Sequence, residues 1–129
     1  MNRDRTPTID VPLHAIAHGR AGDKGDTSNI SVIAYEAQAW PVLVDQITEA
    51  RVLDLFRPLG ATQVDRYELP NLHALNFVIA DTLDGGVNAS LRLDRHGKGL
   101  SFRLLGGLTV TIPIGLLPTG SAYRVGLTP

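Results

Sequence analysis

The chain has 129 residues, no cysteine, and 12 basic against 13 acidic side chains, for a formal net charge of -1. That length suits one domain with a proper core, and the missing cysteines exclude disulfides, thiolate nucleophiles and thiolate-held metals. The balanced charge lacks the basic excess of a nucleic-acid module, no apolar run approaches the roughly 18 residues of a membrane span, and the start has no secretory h-region, so a soluble cytoplasmic protein is expected.

Residues 1–10 are polar and carry Pro7, and they read as a loose N-terminal arm. Leu13 to His18 reads as a strand, with Leu13, Ala15 and Ala17 on one face and His14, Ile16 and His18 on the other. Residues 18–29 are a loop by composition, and Asn29 to Tyr35 is a second strand rich in β-branched residues. The two strands are joined most simply as a long hairpin. Pro41 to Gln46 is compatible with one helical turn. Thr48 then looks like an N-cap, with Glu49 near the positive end of the helix dipole. Val52, Leu53 and Phe56 share a helical face, and Pro58 and Gly60 stop the helix.

Gln63 to Leu69 reads as a third strand ended by Pro70, its inward face left open by the mixture of Val64, Asp65, Arg66 and Tyr67. Asn71 can cap a second helix, because Leu72, Leu75, Ile79 and Leu83 recur at spacings of three and four before Asp84-Gly85-Gly86. Phe77-Val78-Ile79 keeps a strand reading open there. Val87, Ala89, Leu91 and Leu93 alternate with polar residues. After a turn at residues 95–99, Leu100, Phe102 and Leu104 alternate again, the pattern of a hairpin with one wet face. Leu108, Val110 and Ile112 add a strand before Pro113, and residues 115–129 read as an irregular tail. The domain is therefore expected over residues 11–114. The order ββαβαββ(β) points to an α+β fold, a mainly antiparallel sheet with two helices on one face.

Chemistry concentrates in His18-Gly19-Arg20-Ala21-Gly22-Asp23-Lys24-Gly25-Asp26-Thr27-Ser28-Asn29. Its glycines permit close backbone approach to a ligand, and its amides with Arg20 and Lys24 suit an anion. Asp23 and Asp26 can orient the cations or act as acid and base. The spacing is not that of a P-loop or an EF-hand. A solvated turn laced by internal salt bridges is the plainer reading. His14 and His18, i and i+4 on a strand, would be about 13 Å apart, too far to share a metal. His73 and His96 fall near expected turns and read as surface residues. Asn76, in an apolar stripe, needs partners if buried, and those can be structural or a ligand.

The run His18-x-Arg20-x-Gly22-Asp23-Lys24-Gly25-Asp26-Thr27-x-Asn29-Ile30 resembles the AtuA-like family, named for acyclic terpene utilisation. The resemblance continues through Arg66-Tyr67-Glu68-Leu69-Pro70-Asn71-Leu72, Ala74-Leu75-Asn76-Phe77, Gly85-Gly86 and Ser90-Leu91-Arg92-Leu93-Asp94 with Gly97-Lys98. It covers about residues 13 to 105 and implies a ferredoxin-like two-layer sandwich, here as a stand-alone small protein. It also implies a setting in terpenoid or branched acyl-CoA catabolism, and a larger AtuA-like chain as partner. His18, Arg20, Asp23, Lys24, Asp26 and Asn29 match the family's loop, and Asn71 and Asn76 its second motif; the resemblance brings no established role for them and no cofactor.

Two expectations follow. The chain is a subunit binding an acyl-CoA or carboxylate, with Arg20 and Lys24 holding the anion, Asn29 and Asn76 fixing a carbonyl, Asn71 beside them, and Asp23, Asp26 and His18 as the catalytic candidates. Alternatively it is a non-catalytic homo-oligomerisation or interaction module. Its open sheet face would then be covered through Ile16, Ile33, Leu105 and tail residues.

Overall fold

In a computed structural model of the chain, the structure describes residues 7–24, 27–81, 99–118 and 120–124, and all their side chains but those of Asp23, Lys24 and Arg124. Two antiparallel sheets carry the architecture. The larger has the order β2-β3-β5-β4, built from β2 (Ala17–Lys24), β3 (Thr27–Ala34), β4 (Gln63–Leu69) and β5 (Ala74–Ala80). The smaller is a ribbon of β1 (Thr8–Pro12) and β6 (Thr109–Pro113). Helices α1 (Trp40–Gln46) and α2 (Glu49–Phe56) connect β3 to β4, and α3 (Gly99–Gly107) precedes β6. Because β5 lies between β3 and β4, the unit β3-α-β4 is a split β-α-β motif. The chain is thus the expected α+β two-layer sandwich of ferredoxin-like type, with three helices among the described residues in the second layer.

Alternation along the central strands decides which face the helices cover. On β3, Ser28, Ile30, Val32 and Ala34 are buried while Asn29, Ser31 and Ile33 are not. On β5, Leu75, Phe77 and Ile79 are fully buried. The register pairs Ile30 with Phe77 and Val32 with Leu75, so the apolar sets meet on one side. Val52 and Phe56 of α2, Leu43 of α1 and Leu104 of α3 complete that core. Each such side chain contributes about 1.5–3 kcal/mol relative to exposure.

Several expected elements hold. Thr48 caps α2, its hydroxyl accepting from the Arg51 N–H at 3.2 Å, and the third strand runs Gln63–Leu69. Its open question is resolved by Arg66, which points to the helix side. There its guanidinium donates to the Val44 and Ile47 carbonyls at 2.8 and 2.9 Å. Those carbonyls belong to the end of α1, where a cation is favoured.

Four expectations are corrected. Residues 8–10 of the supposed arm are strand, held by pairing of Ile9 with Ile112 and Val11 with Val110. Leu13–Ala15 is a 3-10 turn, so His14 and His18 do not share a strand. The helix expected from Asn71 is strand β5: the pattern that becomes buried is the period-two set Leu75, Phe77, Ile79, not the helical set. Conversely Leu100, Phe102 and Leu104 lie on helix α3, where Leu100, Ser101, Leu104 and Leu105 are buried and Phe102 faces water. A six-residue apolar window satisfies either period, and burial against β2 selects the helix. The partner strand expected at residues 87–94 lies outside the described residues.

Residues 18–29 are also not a long loop. β2 continues to Lys24, β3 starts at Thr27, and Lys24 pairs with Thr27. The strand signal is muted because its inward positions are small. A Cβ at Gly19 would lie 2.8 Å from the Ser31 carbonyl oxygen and 3.4 Å from Leu105, whereas one at Gly22 meets nothing within 4 Å. Gly19→Ala should therefore lower stability by about 1–3 kcal/mol, while Gly22→Ala should change it by less than about 1 kcal/mol. Urea unfolding of the two variants beside the parent checks this.

Candidate functional site

The sheet face turned away from the helices is uncovered among the described residues, and the register sorts its side chains into rows. One row reads Arg20, Ser31, Asn76, Tyr67 across β2, β3, β5 and β4; the next reads Gly22, Asn29, Val78, Asp65. Neighbouring members of a row sit about 4.8 Å apart. Residues 56 positions apart in sequence are thereby set on one surface. A depression of about 740 Å³ opens there, lined by Arg20, Gly22, Thr27, Asn29, Ser31 and Val78 among others.

Asn76 is not in an apolar helix stripe. It is half-buried on β5, facing away from Phe77, and its Oδ1 accepts the Ser31 hydroxyl at 3.0 Å. That bond takes one lone pair of the amide oxygen and leaves the Nδ2 hydrogens as donors. Arg20 is exposed and makes no ion pair among the described residues. On this face of the four strands the one described carboxylate is Asp65, at the far edge, and it accepts from Gln63 at 3.1 Å. The Arg20 side of the depression is thus rich in donors and free of described anions.

Of the residues singled out from sequence, Arg20, Asn29 and Asn76 come together on this face. His18 lies on the same face of β2, two positions from Arg20, and its ring stacks on Tyr35 with centroids 5.2 Å apart. Asn71 does not join them. It is exposed in the 3-10 turn Pro70–Leu72, at the end of the sheet opposite the Lys24–Thr27 pair. Asp26 and the side chains of Asp23 and Lys24 lie outside the described residues, so their part rests on sequence. Ser31 and Tyr67 were not legible as site residues. Each looks like an ordinary wet position on a strand, and only the pairing of β5 with both β3 and β4 lines them up with Arg20. Among the described residues no group of three His, Asp or Glu side chains is arranged to hold a metal, and no helix is long and apolar enough to cross a membrane.

An α+β sandwich with one polar, donor-rich sheet face left open is the class that fold and surface define. The family model of the AtuA ferredoxin-like domain matches residues 11–110, and the chain belongs to that family. No curated protein and no solved structure matches the chain.

Removing the Ser31 hydroxyl should release the Asn76 amide. Ser31→Ala is expected to cost about 1 kcal/mol and to shift the Asn76 side-chain amide resonances in a proton–nitrogen spectrum. Thr27→Ala, on the same face but outside that bond, should leave them in place.

Proposed function

We propose that this chain is a small cytoplasmic subunit that binds an anionic small molecule, an acyl-CoA or free carboxylate, on the open face of its sheet. In this reading it acts with a larger AtuA-like chain in catabolism of terpenoid or branched acids. Arg20 holds the anionic group, joined by Lys24. Asn29 and the Nδ2 of Asn76 donate to a carbonyl oxygen. Asp23, Asp26 and His18 remain the groups able to move a proton.

The observation that supports this reading is the exposed Arg20 guanidinium, which makes no ion pair among the described residues, on a concave surface that also carries the Ser31-oriented Asn76 amide and no described carboxylate near it. A cation in such a setting gains about 1.5–3 kcal/mol from a charge-assisted hydrogen bond. The setting that the family resemblance implies favours acyl compounds as the anion.

A second reading has its own support. Ile33, Val78, Tyr67 and Leu69 share the open face, and Tyr67 and Leu69 are 52% and 39% exposed. A second copy packed on this face would cover them. Ile16 and Leu105, expected to help, are 1% and 7% exposed and already belong to the domain's own core.

Titration calorimetry with butyryl-CoA and butyrate tests the first reading. Arg20→Ala should raise Kd about 10-fold or more for both probes, with Asn76→Ala affecting them less. Unchanged binding in Arg20→Ala refutes it. Light scattering on the parent decides the second reading: a clean monomer at micromolar concentration removes it. Co-expression with a large AtuA-like chain, followed by affinity capture, checks the subunit role.

A further inference from the structure

A second concavity runs along the outer edge of β2. Its volume is about 430 Å³, within the range of about 300–1,000 Å³ of small-molecule sites. His14, His18, Gly19, Tyr35, Phe102 and Leu105 line it. A neighbouring cleft of about 390 Å³ shares His14 and Tyr35 and reaches Glu36 and Tyr123.

The cleft is aromatic and partly organised. His18 and Tyr35 are stacked at 30° between ring planes. His14 is held by the Tyr123 hydroxyl, 3.2 Å from its Nε2. Yet Tyr35 is 53% and Phe102 64% exposed, so two large ring faces stand in water around a recess. Such rings favour stacking with another flat π-system. β2 is also the terminal strand of its sheet, with no strand beside it among the described residues. Among the described residues its outward N–H and C=O groups therefore offer a donor–acceptor edge to an occupant.

Charge completes the pattern. Arg20 lies two residues from His18 on the same face of β2, about 6.6 Å along the strand. That backbone spacing sets Arg20 one strand repeat beyond the His18 ring that stacks on Tyr35. We propose that the β2 edge cleft and Arg20 together bind a purine nucleoside phosphate. The base lies against Tyr35 and Phe102, with its edge toward the β2 main chain and its phosphate on Arg20. This rests on the reading of Arg20 as the anion-holding group, and it adds a ring-binding half that reading does not require. A bare hydrocarbon ring would leave the main-chain edge unused, and a bare anion would leave the aromatic recess empty.

Titrations of the whole chain with AMP, adenosine and inorganic phosphate separate the two halves. AMP should bind more tightly than either fragment. Phe102→Ala and Tyr35→Ala should weaken AMP and adenosine about 5-fold or more and leave phosphate unchanged, with Phe102→Tyr restoring affinity. Both positions are surface-exposed, and circular dichroism verifies that the variants fold. Arg20→Ala should weaken AMP and phosphate and spare adenosine. If adenosine does not bind and AMP is no tighter than phosphate, the ring site is overturned while Arg20 keeps its anion. If Arg20→Ala changes neither AMP nor phosphate binding, the anion reading falls and this proposal with it. If no nucleotide binds and Phe102→Ala lowers the mass seen by light scattering, the cleft is a contact between copies of the chain, and the proposal is wrong.

Discussion

The register of β3 against β5 is the constraint on which the rest of the molecule depends. Ile30 opposite Phe77 and Val32 opposite Leu75 place four apolar side chains under the helices. The same register sets Ser31 opposite Asn76 on the other face, where their hydrogen bond forms. A slip of one residue would send Phe77 into water and Asn76 into the core. The penalty is twofold, since buried area is lost and an amide is desolvated without a partner. Core and candidate site are thus two faces of one pairing.

Outer strands pose the opposite difficulty, because their free main-chain groups invite unwanted pairing. On β4 the Arg66 N–H is taken by the Glu49 carboxylate at 2.8 Å. On β6 the Gln46 amide pairs with both main-chain groups of Thr111 at 2.8 Å, acting as a one-residue strand, and Arg51 donates to the Thr109 carbonyl. These side chains come from α1 and α2, so the helices also seal edges. β2 is treated differently. Among the described residues its outer side is unpaired and borders a recess lined by aromatic rings.

The two candidate regions meet on β2. Arg20 belongs to the depression on the open face, and His18 to the cleft at the edge. Period-two alternation allows this: His18 and Arg20 share a face, while Gly19 between them turns inward beneath Leu105. A Cβ at that position would crowd the Ser31 carbonyl oxygen of β3, while Phe102 of α3 lines the cleft together with His18 and Tyr35.

Local chemistry was legible from the chain itself. The Thr48 cap, the strand Gln63–Leu69 and the strand around Val110 and Ile112 depend on near neighbours and clear spacing, as does the concentration of Arg20, Asn29 and their neighbours in one segment. The matching motifs also identified the family. What could not be read was any choice between two periods that a short apolar window satisfies equally. Leu72, Leu75 and Ile79 fit a helix, and Leu100, Phe102 and Leu104 fit a strand, until packing chose otherwise. Phe77 gains burial only if its segment is a strand, and Leu105 only if its segment is a helix lying on β2. Likewise Asn76 came to lie opposite Ser31 on the open face, and Asn71 did not, through strand pairing over long separations. Composition and spacing determine what each segment can do; burial shared between distant segments decides which of those options has the lower free energy.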